Sequence, residues 1–235
     1  MVYVEDDFND NVLDTAKWDE YEYLAGTVTE QDGRLTCTVS NLQVAGVSTK
    51  RQIDCNNVDV AVKCFLKSGT PSAWALMLFS SKVYTTNIAA VRPSVRIQYT
   101  MGQGVQVVKM GKADTEPVLV KTVGIPFENG LQLRIFGAEG RLRFYYMRPG
   151  ETTWTEVTSL FLTEFDEANY IYIIAGAPPD TSAVAQFDDF IATEAITPWG
   201  QVSTMVSQVV NTVVPVLVLV ATVSLLISVM KAMRS

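Results

Sequence analysis

Glu164 and Asp166 stand two positions apart, with Glu167 immediately after. On a strand that spacing puts the first two carboxylates on one face, where one can attack a glycosidic carbon and the other can donate a proton. Glu167 would point away from them, and positions 168 and 169 are Ala and Asn. No third carboxylate joins them on that face, and Glu164–Asn169 reads as a solvated loop ahead of Tyr170–Ile174. No histidine is present, which removes histidine triads, histidine-ligated zinc and the near-neutral proton shuttle. Cys37, Cys55 and Cys64 allow one disulfide at most. Cys37 and Cys64 fall on the apolar side of alternating runs and read as core. Cys55 sits in the polar turn Asp54-Cys55-Asn56-Asn57 with no basic helper. The glycines of Met101-Gly102-Gln103-Gly104 are followed by no helical pattern, so no phosphate-binding loop is expected. The residues offer no complete catalytic constellation, and the expectation is that the chain is not an enzyme.

The elements that carry these residues are strands. Of 235 residues, 48% are apolar and 18% charged, a balance that excludes disorder. The net charge of −7 excludes a nucleic-acid binder working through a basic surface. Apolar alternation runs through Arg34–Val39, Val58–Leu66 and Val95–Tyr99. Leu131–Ile135 and Leu142–Tyr146 flank Gly137-Ala138-Glu139-Gly140 as the clearest hairpin. About a dozen strands with Gly and Pro punctuation predict an all-β, two-sheet antiparallel sandwich over residues 1–194.

From 195 to 235 the period changes. Thr197-Pro198-Trp199 is a helix start, with Thr as N-cap and Pro in the first helical position. Trp199, Val202, Met205, Val206, Val209 and Val210 follow helical spacing as an amphipathic stem. Val213–Met230 is an apolar run of 18 residues, and no charge occurs between Glu194 and Lys231. The expectation is one long C-terminal transmembrane α-helix, with the lipid bilayer as partner. Lys231 and Arg234 favour the inner side for the C-terminus, which would set the β domain on the outer face of a cell or virion; tail-anchored insertion would give the opposite topology. The opening MVYVEDDFND has neither a basic nor an apolar segment, so no signal peptide is expected there. Ser224 and Ser228 are either incidental or a small-residue seat for a second helix, in a homo-oligomer or a membrane complex.

Three motifs carry a family resemblance. Asp6-Asp7-Phe8-Asn9-Asp10 with Leu13-Asp14-Thr15-Ala16-Lys17-Trp18, the stretch Leu131–Val157, and Phe187-Asp188-Asp189-Phe190-Ile191 occur in the order seen in concanavalin A-like lectin, laminin-G and glucanase jelly rolls. The resemblance covers about residues 2–194. It implies a jelly roll whose first and last strands pair, bringing Phe8 close to Phe187 and Phe190. Asp6, Asp7, Asp188 and Asp189 would then lie together. Two readings stand for them: side chains satisfying backbone N–H groups at edge turns, or a calcium site built from hard oxygen ligands.

The resemblance also implies glycan binding on a sheet face or at loop tips, through stacking and planar hydrogen bonds. Trp74, Tyr84, Asn87, Arg92, Arg96 and Gln98 are the central candidates. Arg96, Gln98 and Thr100 share one strand face; Arg141, Arg143 and Tyr145 share another. The plainer alternative is an ordinary polar outer face with Trp74 in the core. Glucanases of this architecture use a carboxylate triplet on one strand, which Glu164–Asn169 departs from. The expected function is a membrane-anchored surface protein displaying a recognition or adhesion domain for glycan or protein. The alternatives are a structural subunit of a membrane-containing virion or similar assembly, and a divergent glycan hydrolase.

Overall fold

The structure is a computed structural model that describes residues 1–24, 26–68, 72–82 and 93–195. The expected tail helix, with Ser224 and Ser228, lies outside the described residues, as do Tyr84, Asn87 and Arg92. Among the described residues no helix is long and apolar enough to cross a membrane.

Sixteen strands are described. They are β1 (Val2–Asp6), β2 (Trp18–Tyr23), β3 (Thr27–Gln31), β4 (Arg34–Ser40), β5 (Val44–Thr49), β6 (Ile53–Asp54), β7 (Asn57–Ser68) and β8 (Trp74–Ser80). There follow β9 (Ser94–Thr100), β10 (Gly104–Met110), β11 (Val118–Val123), β12 (Leu131–Ala138), β13 (Arg141–Met147), β14 (Thr155–Phe161), β15 (Ala168–Gly176) and β16 (Ser182–Thr193). The first sheet runs β14-β13-β12-β7-β16-β4-β3, with β1 also on β16. The second runs β11-β10-β9-β8-β15-β5-β2, with β6 also on β15. Strand pairing is antiparallel, for example β12 with β7 and β15 with β8.

Alternation builds the layer between the sheets. Leu35, Cys37 and Val39 of β4, Val58 to Leu66 at every second position of β7, and Ala75, Met77 and Phe79 of β8 all enter one apolar core. Period-two patterning with the apolar face inward makes a two-sheet sandwich the way to bury both sheets. The expected hairpin is present, but its loop is shorter than the four residues read from the sequence. Gly137 and Ala138 extend β12, leaving Glu139-Gly140 as a two-residue turn with φ of 55° and 71°. Two positive φ values match the twist of the flanking strands.

The first and last strands pair as the resemblance implied, Asp6 opposite Phe190. β16 borders β4 through Phe187 and β1 from Phe190 onward. Between them, at Asp188-Asp189, its register with β7 shifts and Asp189 takes φ 50°. Trp18 fills this corner, with ring centroids 4.9 Å from Phe190 and 5.9 Å from Phe8. Asp6 fixes the corner, accepting the Trp18 indole N–H at 2.8 Å and the Phe8 N–H at 3.0 Å.

Candidate functional site

Strand alternation gives the second sheet an outer face as well as a core face. On β8 the outward residues are Trp74, Leu76, Leu78 and Ser80. Register places Trp74 beside Thr100 and Gly176, Leu76 beside Gln98 and Ile174, and Leu78 beside Arg96 and Tyr172. Three of the sequence candidates, Trp74, Arg96 and Gln98, thus come together on one face. Trp74 is half-buried on that face, outside the core between the sheets. Its indole lies on Gly176: a Cβ there would fall 2.1 Å from the ring. Only glycine admits the ring so close to the backbone.

Next to Trp74 runs a polar row. Arg96 Nε donates to Gln98 Oε1 at 2.9 Å. Gln98 Nε2 donates to Thr100 Oγ1 at 3.0 Å and to Gln106 Oε1 at 2.8 Å. Gln106 Nε2 continues to Gln103 Oε1 at 3.0 Å. Gln98, Thr100 and Gln106 are buried, and a satisfied network of this kind holds planar amides in fixed orientations. Burial pulls the half-buried Arg96 guanidinium down to about 10; it stays charged at neutral pH. The outward-facing described residues of β5, β8, β9, β10 and β15 include no Asp or Glu.

On the other side of Trp74 the face is apolar and aromatic. Tyr21, Val44, Leu76, Leu78, Tyr172 and Ile174 form a second buried cluster, with Tyr23, Trp74 and Tyr170 packed against it. Sequence reading missed these tyrosines and Gln106. The signal was available in WALMLFS and YIYIIAG, strands apolar on both faces and so predicted to be covered on both.

The carboxylates Glu164, Asp166 and Glu167 lie elsewhere. They fall on a single 3-10 turn (Leu162–Glu164) and the loop before β15, as the loop reading expected. Glu164 is paired with Lys109. Asp166 accepts from Ser81 Oγ at 2.6 Å and meets Lys112 at 3.2 Å. The Ser81 hydrogen bond and the lysine hold its carboxyl below the ordinary aspartate value, so it cannot act as an acid near neutrality.

The four aspartates do not assemble into a cation cage. Asp6 is occupied by Trp18 and Phe8, with Lys17 at 3.5 Å. Asp7 accepts the Asn9 N–H, Asp188 meets Arg34 at 3.5 Å, and Asp189 meets Lys63 at 3.9 Å. Among the described residues no three acidic or cysteine side chains are placed to hold a metal ion. Asp6, Asp7 and Asp188 each accept a backbone N–H, as the edge-turn reading expected. Close by, Glu30 on β3 shares the register of Leu35 and points inward. Both its oxygens are buried. Burial, then the Asp10 carboxyl opposite it, push Glu30 up to about 7.

The cysteines are free and buried, and burial raises all three thiols well above the usual range. Cys55 departs from its polar-turn reading in being buried, with Asn169 Nδ2 donating to its sulfur at 3.2 Å. Arg141, Arg143 and Tyr145 do oppose Leu142, Phe144 and Tyr146, but on the first sheet, away from Trp74.

No protein-family model and no curated protein matches this chain. Solved structures do. The Ca2+/Man3GlcNAc-bound VIP36 exoplasmic/lumenal domain is 10% identical at TM-score 0.57, covering 77% of this chain and 86% of its own. Lectin II from Ulex europaeus is 11% identical at 0.55, covering 83% and 100%. The catalytic domain of an endo-1,3-beta-glucanase (laminarinase) from Thermotoga petrophila RKU-1 is 13% identical at 0.62, covering 84% and 98%. At such identities the likeness is one of fold: the lectin and glucanase jelly roll.

Proposed function

We propose that residues 1–194 are a non-catalytic glycan-binding jelly roll, held at a membrane by residues 195–235 and displayed on the outer face of a cell or virion. The observation that carries this reading is the outer face of the second sheet. It sets a glycine-seated indole beside a hydrogen-bonded row of Arg96, Gln98 and Gln106. Sugars offer apolar ring faces for stacking on the indole and polar substituents for the half-buried Arg96 guanidinium, which the buried amides hold in place. The glycan-bound VIP36 domain shows the same fold with a sugar ligand in place. A hydrolase on this face would need paired carboxylates. The described strands at its centre carry none, and Glu164 and Asp166 hold lysines instead. The uncharged Val213–Met230 run supports the anchor.

A second reading is a packing module in a larger membrane assembly, such as a membrane-containing virion. The buried apolar cluster on the same outward face favours it. A glycan array probed with the full-length chain separates the two. Binding weakened by Trp74→Ala, with the melting temperature kept, supports recognition. A blank array with a stoichiometric complex formed through the tail supports assembly and overturns recognition.

A further inference from the structure

Arg34, Arg134, Arg143 and Arg148 each hold a carboxylate, Asp188, Asp59, Glu139 and Glu128 respectively. Arg96 does not. Its one hydrogen bond among the described residues uses Nε, on Gln98. Among the described residues its two terminal nitrogens have no partner, and the strands around it offer no Asp or Glu on that side. Taking a guanidinium partly out of water costs free energy that a facing anion ordinarily offsets. Here the protein bears that cost without supplying the anion.

We propose that Arg96 reads an acidic group, carboxylate or sulfate, on the bound glycan. This inference rests on the glycan-binding reading above and adds the ligand's charge class to it. With Nε fixed by Gln98, the guanidinium plane is set, and its terminal pair matches the two oxygens of a carboxylate or sulfate. Overall charge gives no help, because the chain carries −7 and repels anions at long range. Selectivity for an acidic sugar must therefore come from a local contact. Distance sets the ligand's length. Trp74 is opposite Thr100, four residues along β9 from Arg96, which at strand spacing is about 13 Å. One sugar ring cannot reach both, so the ligand is an oligosaccharide with a neutral ring over Trp74 and an acidic group at Arg96.

The test is a titration of the full-length chain with a glucuronate tetrasaccharide, its carboxyl-reduced counterpart and a sulfated glucan tetrasaccharide. Wild-type protein is expected to prefer one acidic probe over the reduced probe by about tenfold or more; which one identifies the anion. Arg96→Gln should erase that preference, bringing the acidic probe's affinity to that of the reduced probe measured on the same variant. Arg96→Lys, which keeps the charge without the fork, should fall between. If Arg96→Gln does not fold, the wild-type preference must still shrink as salt rises. Equal binding of acidic and neutral probes, or a preference that survives Arg96→Gln, overturns the inference and leaves glycan binding intact. Failure of a folded chain to bind any probe, together with a blank array, overturns the underlying reading and this inference with it.

Discussion

Replacing Glu30 by glutamine tests whether a buried carboxyl opposes folding at neutral pH. Glu30 sits on edge strand β3 with both oxygens buried and its carboxyl facing that of Asp10. The groups facing it are Asp10 and, farther off, Asp6; Lys17 lies near Asp6 and Asp10. Its carboxyl moves from 4.5 in the unfolded chain to about 7. A raised acid favours the folded state below the unfolded value, and that advantage is lost as pH climbs through 4.5 to about 7. Above the window the cost levels off, at a ceiling of about 3 kcal/mol. Asp10 is shifted the other way, by its bond to Glu30. Its contribution disappears only in more acidic solution, outside this window. The glutamine carries no charge and offers Asp10 a permanent N–H, so Glu30→Gln should stabilise at pH 8 by on the order of 2 kcal/mol. For a domain of this size that is a rise in melting temperature of about 4–8 °C. At pH 4.5 the change should be small. The assay is thermal unfolding of full-length wild type and variant in a mild non-ionic detergent, followed by tryptophan fluorescence at both pH values. A variant that melts lower at pH 8, or shifts equally at both, refutes the argument.

Other outcomes follow from single contacts. Gly176→Ala should unseat the Trp74 indole, since its Cβ would stand 2.1 Å from the ring; emission from Trp74 should shift and stability fall by about 1–3 kcal/mol. Trp18→Phe should keep the aromatic corner but strip Asp6 of its 2.8 Å donor; chemical denaturation should show a loss of about 1–3 kcal/mol. Cys37, Cys55 and Cys64, buried with raised thiols, should react with an aromatic disulfide reagent only after unfolding; rapid labelling of the native chain would contradict that placement.

Strands with one polar face were legible in the sequence. Arg141, Arg143 and Tyr145 alternate with Leu142, Phe144 and Tyr146, and the structure keeps both sets where alternation puts them. β8 and β15 were not legible in this way. Trp74-Ala75-Leu76-Met77-Leu78-Phe79 is apolar at every position, so period two cannot say which set faces out. Trp74 therefore stood between core and surface until register set it on Gly176. Asp6 and Trp18 are 12 residues apart in the chain, and no local pattern announces a bond at that separation. The same holds for Glu30 and Asp10, whose meeting depends on how the Asp7–Asn11 segment returns to the edge of the first sheet. The shorter turn at Glu139-Gly140 was hidden because Gly137 resembles loop punctuation, although it pairs with Val58 inside the sheet.

Of the sixteen described strands, the two synthesised last lie inside the sheets. β15 lies between β8 and β5, and β16 between β7 and β4. Both layers thus wait, with an interior strand missing, until the chain has been made past Thr193. During that interval β7, β8, β4 and β5 expose unpaired backbone edges beside apolar side chains, a template for wrong partners. Insertion of the final pair closes both gaps within a few dozen residues of translation. A ribosome stalled before Ala168 would hold each layer as two separate pieces, one of four strands and one of two, and their joining depends on contacts distant in sequence.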